Sequence, residues 1–205
     1  MTVIRLLAGA IAASIAFAGA VAATAQTAPP TRLRGSIAAI DDKTATIATR
    51  EGSSVKVKLA DNWSVALVSP LSAADIKQGS FVGVASMKEA DGSQNALEVL
   101  VFPEAARGSG EGHYPWDLQP ESMMTNATVA TLGTASDGQT LKLDYKGGTQ
   151  TIKVRPGTPI VTFTPGTKAD AKVGAKVFVG AVKAADGSLT ASRLLVGKNG
   201  LTPPM

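Results

Sequence analysis

The sequence contains no cysteine, one histidine and only nine aromatic residues among its 205 residues. The absence of cysteine excludes a disulfide framework, a thiolate nucleophile and cysteine-ligated zinc or iron–sulfur sites. A single histidine excludes any catalytic scheme or metal site that needs two imidazoles from one chain. With so few aromatic rings, the chain also offers few platforms on which bases or sugars could stack. Charged residues make up only 18%, below the usual quarter of a soluble domain.

The charges are nearly balanced, which bears on the kind of partner the protein can have. The formal net charge is +4, and leaving out the N-terminal 25 residues removes one basic residue, Arg5. In the longest basic cluster, Lys56-Val57-Lys58, charged and apolar residues alternate, as they do in a strand with one solvent-exposed face. So small a net charge gives little attraction to phosphates, and we expect no nucleic-acid partner.

The N-terminus has the pattern of a secretory signal peptide. Arg5 is followed by a run rich in Ala, Leu, Ile and Gly over residues 6–23, and Ala23-Thr24-Ala25 is an A-x-A cleavage site. We predict that residues 1–25 are cleaved and that the mature protein is periplasmic and soluble. It should not stay inserted in the membrane, because no second apolar run approaches ~18 residues. The alternative is that the same run forms an uncleaved anchor helix.

An internal repeat with an offset of 95 residues accounts for most of the remaining sequence. Asp75-Ile-Lys-Gln-Gly79 corresponds to Asp170-Ala-Lys-Val-Gly174, and Asp91-Gly92-Ser93 corresponds to Asp186-Gly187-Ser188. Two copies are fewer than a solenoid needs, so each unit is predicted to close its own core. The predicted organisation is a signal peptide (1–25), a first unit (26–104), a linker (105–123) and a second unit with a short C-terminal tail (124–205).

Within each unit, apolar and polar residues mostly alternate, as in strands, and pairs such as Asp91-Gly92 favour tight hairpins between them. One segment departs from this pattern, because Ser72, Asp75 and Gly79 supply a cap, a capping-box partner and a stop for a short helix within 69–79. The predicted class is all-β, with two tandem small OB-like five-stranded barrels that each carry one short helix between strands three and four. An open five-stranded sandwich-like fold is the alternative.

The paired motifs resemble those of a known group of proteins. The Asp-x-Lys-x-Gly and Lys-x-Ala-Asp-Gly-Ser motifs, behind a signal peptide and joined by residues 102–118, resemble an uncharacterised family of exported bacterial β-domain proteins. The resemblance covers essentially the whole mature chain and implies a domain of unknown function without assigning any residue a role. Members of that family often carry the label of a metal ABC transporter permease. This chain contradicts the label, because a permease needs several apolar helices of about 20 residues.

The linker concentrates the residues with metal-binding chemistry. Imidazole and thioether ligands select Cu(I) where cysteine is absent, and a nearby indole face attracts a soft cation. His113 with two carboxylates would suit Zn²⁺ or Mn²⁺ instead. Met123 and Met124 are neighbours, however, and their side chains would diverge on a strand. The candidate metal ligands are His113, Met123, Met124, Glu111 and Asp117.

The interpretation we favour makes the linker a structural plug between the two units. Tyr114, Trp116 and Leu118 would then form an interdomain contact, and Pro115 and Pro120 would stiffen the segment. Under this interpretation the linker holds neither a metal nor a cofactor.

No cluster of residues in the sequence is arranged for catalysis. Ser109 lies in a glycine-rich segment but lacks the G-x-S-x-G frame of a nucleophile elbow, and general acid–base groups are not gathered anywhere. We therefore expect a periplasmic, non-enzymatic module that binds a small ligand or an envelope protein. The alternative hypothesis is a metal carrier, or an accessory protein of a metal transporter, that binds Cu(I) or a divalent ion such as Zn²⁺ at the linker.

Overall fold

A computed structural model describes residues 30–205, so the predicted signal peptide lies outside the described residues. No helix in this range is long and apolar enough to cross a membrane. The predicted all-β class is confirmed, since strands connected by short loops and single 3₁₀ turns make up the fold. The strands are β1 (Thr31–Ile40), β2 (Thr44–Thr49), β3 (Ser54–Pro70), β4 (Phe81–Lys88), β5 (Gln94–Val101), β6 (Gly112–Pro115), β7 (Met123–Ala135), β8 (Gly138–Tyr145), β9 (Gly148–Val154), β10 (Ile160–Pro165), β11 (Lys176–Lys183) and β12 (Leu189–Gly197).

Five strands close a barrel at one end of the molecule. β1 pairs antiparallel with β2 and β11, β2 pairs with β3, and β11 pairs with β12. The ring closes because β12 also pairs with β3, in parallel orientation. Alternate residues of these strands, such as Ile47, Val57 and Val179, are buried inside and form one apolar core together with Trp63.

The remaining long strands form a second ring of the same order. β7 pairs with β8 and β4, β8 pairs with β9, β4 pairs with β5, and β5 runs parallel to β9. A separate apolar core fills this ring, with Val84, Leu141 and Ile152 among its buried members. Closure leaves neither ring with a long free edge that could pair with another chain.

Each ring combines strands from both repeat units. In one ring β1, β2 and β3 of the first unit close with β11 and β12 of the second unit. In the other ring β7, β8 and β9 of the second unit close with β4 and β5 of the first unit. The expectation that each unit closes its own barrel is therefore not confirmed, and residues 105–123 do not separate two self-contained barrels. The repeat dictates which face of each strand is apolar. It does not dictate which copy supplies the partner, because β3 and β9 offer β5 the same apolar pattern.

The 95-residue offset recurs in the strand pairing and relates the two barrels by a pseudo-twofold axis. Leu194 lies opposite Val65 in the first barrel, and the corresponding Val99 lies opposite Ile160 near the second. β3 continues beyond its barrel and pairs antiparallel with β10. The central pair of that ladder joins corresponding residues, Val68 and Phe163. A third apolar cluster packs between the barrels around this point.

The predicted short helix is a single 3₁₀ turn, Ala73–Asp75. Its capping chemistry is present, because the carboxylate of Asp75 accepts hydrogen bonds from the N–H and the hydroxyl of Ser72 at 2.8 and 2.7 Å. The turn does not extend into a helix, since the next residue, Ile76, has extended backbone angles and is buried in the second core. Anchoring this side chain outweighs the local helical preference.

Candidate binding site between the barrels

The predicted linker contains a short strand, β6, which pairs with the start of β7. Tyr114 lies opposite Met124 in this ladder, and His113 lies opposite Thr125. Because side chains alternate along a strand, Tyr114 and Met124 share one face, whereas His113 and Met123 share the other. The two adjacent methionines therefore diverge.

His113 and Glu111 are engaged with nearby protein groups. The Nδ1 atom of His113 lies 2.9 Å from the hydroxyl of Thr125, and the imidazole stacks on Tyr145 with ring centroids 6.1 Å apart. Partial burial lowers the pKa of His113 below its ordinary value. Glu111 accepts a hydrogen bond of 2.8 Å from the main-chain N–H of Lys146. Both predicted ligands thus already have protein partners.

Asp117 is held by two arginines of β1. Its carboxylate accepts a hydrogen bond of 2.7 Å from Arg34 and lies 3.6 Å from Arg32. Burial alone would raise the pKa of Asp117, but the hydrogen bond and charge of Arg34 outweigh it, and the pKa lies below its usual value. Within residues 30–205 no group of three or more His, Asp and Glu side chains could hold a metal ion. Glu111, His113 and Asp117 therefore do not belong to such a group, and Met123 and Met124 point to opposite faces of β7.

Trp116 packs where the linker meets the first barrel. Its ring stacks on Phe178 of β11 with centroids 6.5 Å apart, and Tyr114 meets it edge-on at 6.3 Å. The guanidinium carbon of Arg32 lies 3.8 Å from the centre of the Trp116 ring. Leu118, the third residue of the predicted contact, is half-buried. Tyr114 and Trp116 thus join the β6 segment to β1 and β11.

A cavity of about 100 Å³ lies where the two barrels meet. Corresponding residues of the two repeat units line it, since Gly83 matches Phe178 and Leu100 matches Leu195 at the offset of 95. The missing side chain at Gly83 leaves this space open. A Cβ atom placed there would lie 2.7 Å from Oδ1 of Asn126, which a real side chain could not tolerate without movement.

The walls of this interbarrel cavity are unusually aromatic for this protein. Four of the eight aromatic residues in 30–205 contribute to them, although the chain as a whole is aromatic-poor. Two buried methionines complete the apolar lining. The aromatic and methionine residues are Phe102, Tyr114, Trp116, Phe178, Met124 and Met205.

The cavity wall also carries a buried carboxyl group. Glu98 of β5 is 1% exposed, and neither of its oxygens has a hydrogen-bond partner within residues 30–205. Burial raises the pKa of Glu98 to about 8, against a smaller lowering by the charge of Arg34. The corresponding residue of the other unit is Arg193, which is exposed. The fold of the unit therefore does not require a buried carboxyl at this position.

Two further polar groups of the lining are unpartnered. The amide nitrogen of Asn126 donates to the carbonyl of Ser109 and to the hydroxyl of Tyr114, both at 3.1 Å. In the described part of the chain, Oδ1 of Asn126 and Nε1 of Trp116 are buried without a hydrogen-bond partner. Four of the nine buried side-chain atoms without a partner in residues 30–205 belong to residues that line this cavity, which makes it the candidate site.

An outer groove adjoins the cavity. It has a volume of about 790 Å³ and is lined by Pro30, Arg32, Tyr114, Trp116, Asp117 and Phe178, among others. Tyr114, Trp116 and Phe178 also line the cavity, so the two spaces share a wall of rings.

The fold and the site define an all-β protein whose strands form two rings, with a mostly apolar cavity between them that carries a few unpartnered polar groups. No family model, no curated protein and no solved structure matches the chain. The resemblance to exported β-domain proteins stays a prediction, and the function has to be inferred from the geometry of the cavity.

Proposed function

We propose that the protein is an exported, non-enzymatic binding module whose ligand occupies the interbarrel cavity. The observation that carries this proposal is the buried, unpartnered carboxyl of Glu98 on a cavity with aromatic walls. Ligand sites typically combine apolar walls with a few convergent polar groups, and Asn126 and Trp116 supply two more. Export follows from the predicted signal peptide, and the order of strands in each ring supports an OB-like barrel.

Binding is favoured over catalysis by the groups around the cavity. Tyr114 is the one titratable side chain besides Glu98 among the residues that line it. Burial raises the pKa of Tyr114 above its ordinary value, so its hydroxyl is a poor base at neutral pH. His113, a natural general base, faces the other side of β6. A nucleophile with an adjacent base, which covalent catalysis needs, is not found among the lining residues.

A screen of small molecules by ligand-observed NMR tests the binding function. The wild-type protein would be screened against small organic cations, carboxylates and neutral alcohols, alongside Leu195→Phe, which adds volume inside the cavity. Val182→Phe adds the same ring at an exposed site and is the matched control. We expect one class to bind wild type and the control but not Leu195→Phe. Failure of all three classes to bind, or binding that ignores the filled cavity, would refute this function.

A metal carrier is the second candidate, because two thioethers share the cavity with a carboxyl group. Met124 and Met205 are buried and line the cavity beside Glu98. Thioether ligands favour Cu(I), and only Met124 of this set belongs to the ligands predicted from sequence. Anaerobic titration with Cu(I) should then show saturable binding that Met124→Leu weakens and His113→Ala leaves unchanged. Binding of Cu(I), Zn²⁺ or Mn²⁺ that depends on His113 would instead support the linker site.

A further inference from the structure

We infer that the ligand of the interbarrel cavity is a small alkylammonium cation, for which Glu98 is the counter-ion and the aromatic rings form a cage. This inference rests on the proposed binding function and adds the chemical class of the ligand. Three independent features carry it, namely the rings, the charges and the size of the cavity.

The rings provide the attraction. The face of an aromatic ring is negative and attracts cations within about 6 Å of its centroid, and several rings around one space recognise methylated ammonium groups. Two rings of this wall already attract cations in the structure. Arg32 lies 3.8 Å from the centroid of Trp116, and Arg34 lies 5.3 Å from that of Phe178. Trp116 and Phe178 also line the cavity, together with Phe102 and Tyr114.

Glu98 provides the opposite charge. The charge of Arg34 lowers the pKa of Glu98, but Arg34 donates hydrogen bonds to Asp117 and to the main-chain oxygen of Met205 rather than to Glu98. A buried carboxylate is stable only next to a cation or to donors. Within the described residues Glu98 has neither as a hydrogen-bond partner. A cation that enters the cavity would supply what Glu98 lacks.

Size and polarity distinguish an alkylammonium ion from other cations. At about 100 Å³ the cavity is well below the roughly 300–1,000 Å³ of pockets that hold drug-sized ligands, so its ligand must be small. The mostly apolar lining cannot replace the hydration shell of a hard metal ion, which requires several oxygen ligands. Methyl groups on nitrogen carry their own apolar surface and match Leu100, Leu195 and Phe102 in the wall. A longer substituent would extend toward the outer groove.

Charge balance makes binding an exchange of the cation for a proton. Because the pKa of Glu98 is about 8, its carboxyl is largely protonated in the free protein at neutral pH. When the cation binds, the proton leaves Oε1 or Oε2 for the solvent, and the net charge of the site is unchanged. Tyr114 stays neutral throughout this range because burial raises its pKa further. The apparent affinity should therefore fall about tenfold per pH unit below pH 8.

Calorimetric titration with tetramethylammonium chloride tests this inference. The neutral comparison is tert-butanol, which has the same number of heavy atoms. A ligand of five heavy atoms binds at best in the micromolar range, so millimolar titrant is needed. We expect tetramethylammonium to bind wild type about 100-fold more tightly at pH 9 than at pH 6. At pH 7 it should release close to one proton per site, measured from the dependence of the heat on the buffer.

Three variants show which groups are responsible for binding. Glu98→Gln should abolish detectable binding and proton release, whereas Glu89→Gln, which alters a half-exposed carboxylate, should leave both unchanged. Circular dichroism verifies that Glu98→Gln is folded. Met124→Leu should keep at least half of the affinity, because an ammonium ion needs the apolar surface at this position and not its sulfur.

The remaining outcomes overturn the inference and separate it from the proposed function. Equal binding of tert-butanol at all pH values would refute a cationic ligand while leaving a binding cavity in place. Silver ion bound by wild type but not by Met124→Leu, with no binding of tetramethylammonium, would assign the cavity to a soft metal. No binding of any of these probes would refute the ammonium class. The broader NMR screen then decides whether the binding function survives.

Discussion

Replacing Glu98 with glutamine should stabilise the protein at neutral pH, even though it removes a residue proposed to bind the ligand. The raised pKa means that the folded protein holds a proton on Glu98 up to about pH 8, while the unfolded chain releases it near the ordinary value of 4.5. A carboxyl whose pKa is raised by folding therefore favours the folded state at low pH. This contribution is lost progressively as pH rises from 4.5 to 8.

The size of the effect follows from that interval. From pH 4.5 to pH 7 is 2.5 pH units, and at about 1.4 kcal/mol per unit the wild type loses about 3 kcal/mol relative to a residue that does not titrate. This is a substantial part of the 5–15 kcal/mol that typically stabilises a domain. Glutamine has nearly the same shape as the protonated carboxyl and cannot ionise, so the gain should vanish near pH 4.5.

Urea unfolding of both proteins, followed by tryptophan fluorescence between pH 4.5 and 8, measures this difference. The free energy of unfolding of Glu98→Gln should exceed that of wild type by about 3 kcal/mol at pH 7 and should equal it at pH 4.5. Glu89→Gln, the half-exposed control, should stay within about 0.5 kcal/mol of wild type at every pH. A difference between wild type and Glu98→Gln that does not grow with pH would show that Glu98 titrates normally in the fold, and the reasoning would be wrong.

Three further perturbations test the surroundings of the cavity and the strand exchange. Gly83→Ala places a methyl group 2.7 Å from Oδ1 of Asn126 and should lower the free energy of unfolding by about 1–3 kcal/mol; an unchanged urea midpoint would contradict the packing. Asp117→Asn removes the counter-ion of buried Arg34 and should cost about 1 kcal/mol, whereas Asp61→Asn, at a carboxylate 92% exposed, should leave the urea midpoint unchanged; equal losses would refute the difference in burial. Cutting the loop between β5 and β6 should give fragments that remain associated on size-exclusion chromatography, because each barrel contains strands of both repeats; independently folded halves that separate would disprove the exchange.

The sequence predicts the strands of this protein better than their partners. Alternation of apolar and polar residues and the Asp-Gly turns indicate strands and hairpins, because these depend on neighbours along the chain. The offset of 95 also predicts that two equivalent structures form. It contains no information on whether β5 closes against β3 or against β9, since both offer the same pattern. That choice depends on the connection through β6 and on packing around Val68 and Phe163.

The difference between local sequence patterns and long-range packing also explains which site residues could be predicted from the sequence. Tyr114, Trp116 and Met124 stand out in composition and do line the cavity. Glu98 does not stand out, because one charged residue in an apolar strand usually faces water. Glu98 is buried by residues distant in sequence, which include Trp116 beside β6 and Phe178 of the opposite barrel. A weak signal was present, since the segment from Ala96 to Phe102 has no other charged residue.

The ionisation state of Glu98 tests the proposed site most directly. In protein labelled with ¹³C at glutamate, the chemical shift of the Glu98 carboxyl carbon reports its protonation, and Glu98→Gln identifies the signal. At pH 7 we expect the shift of a protonated carboxyl in the free protein and that of a carboxylate once tetramethylammonium saturates the site. A carboxylate already present in the free protein, or a protonated carboxyl that the cation leaves unchanged, would contradict the account.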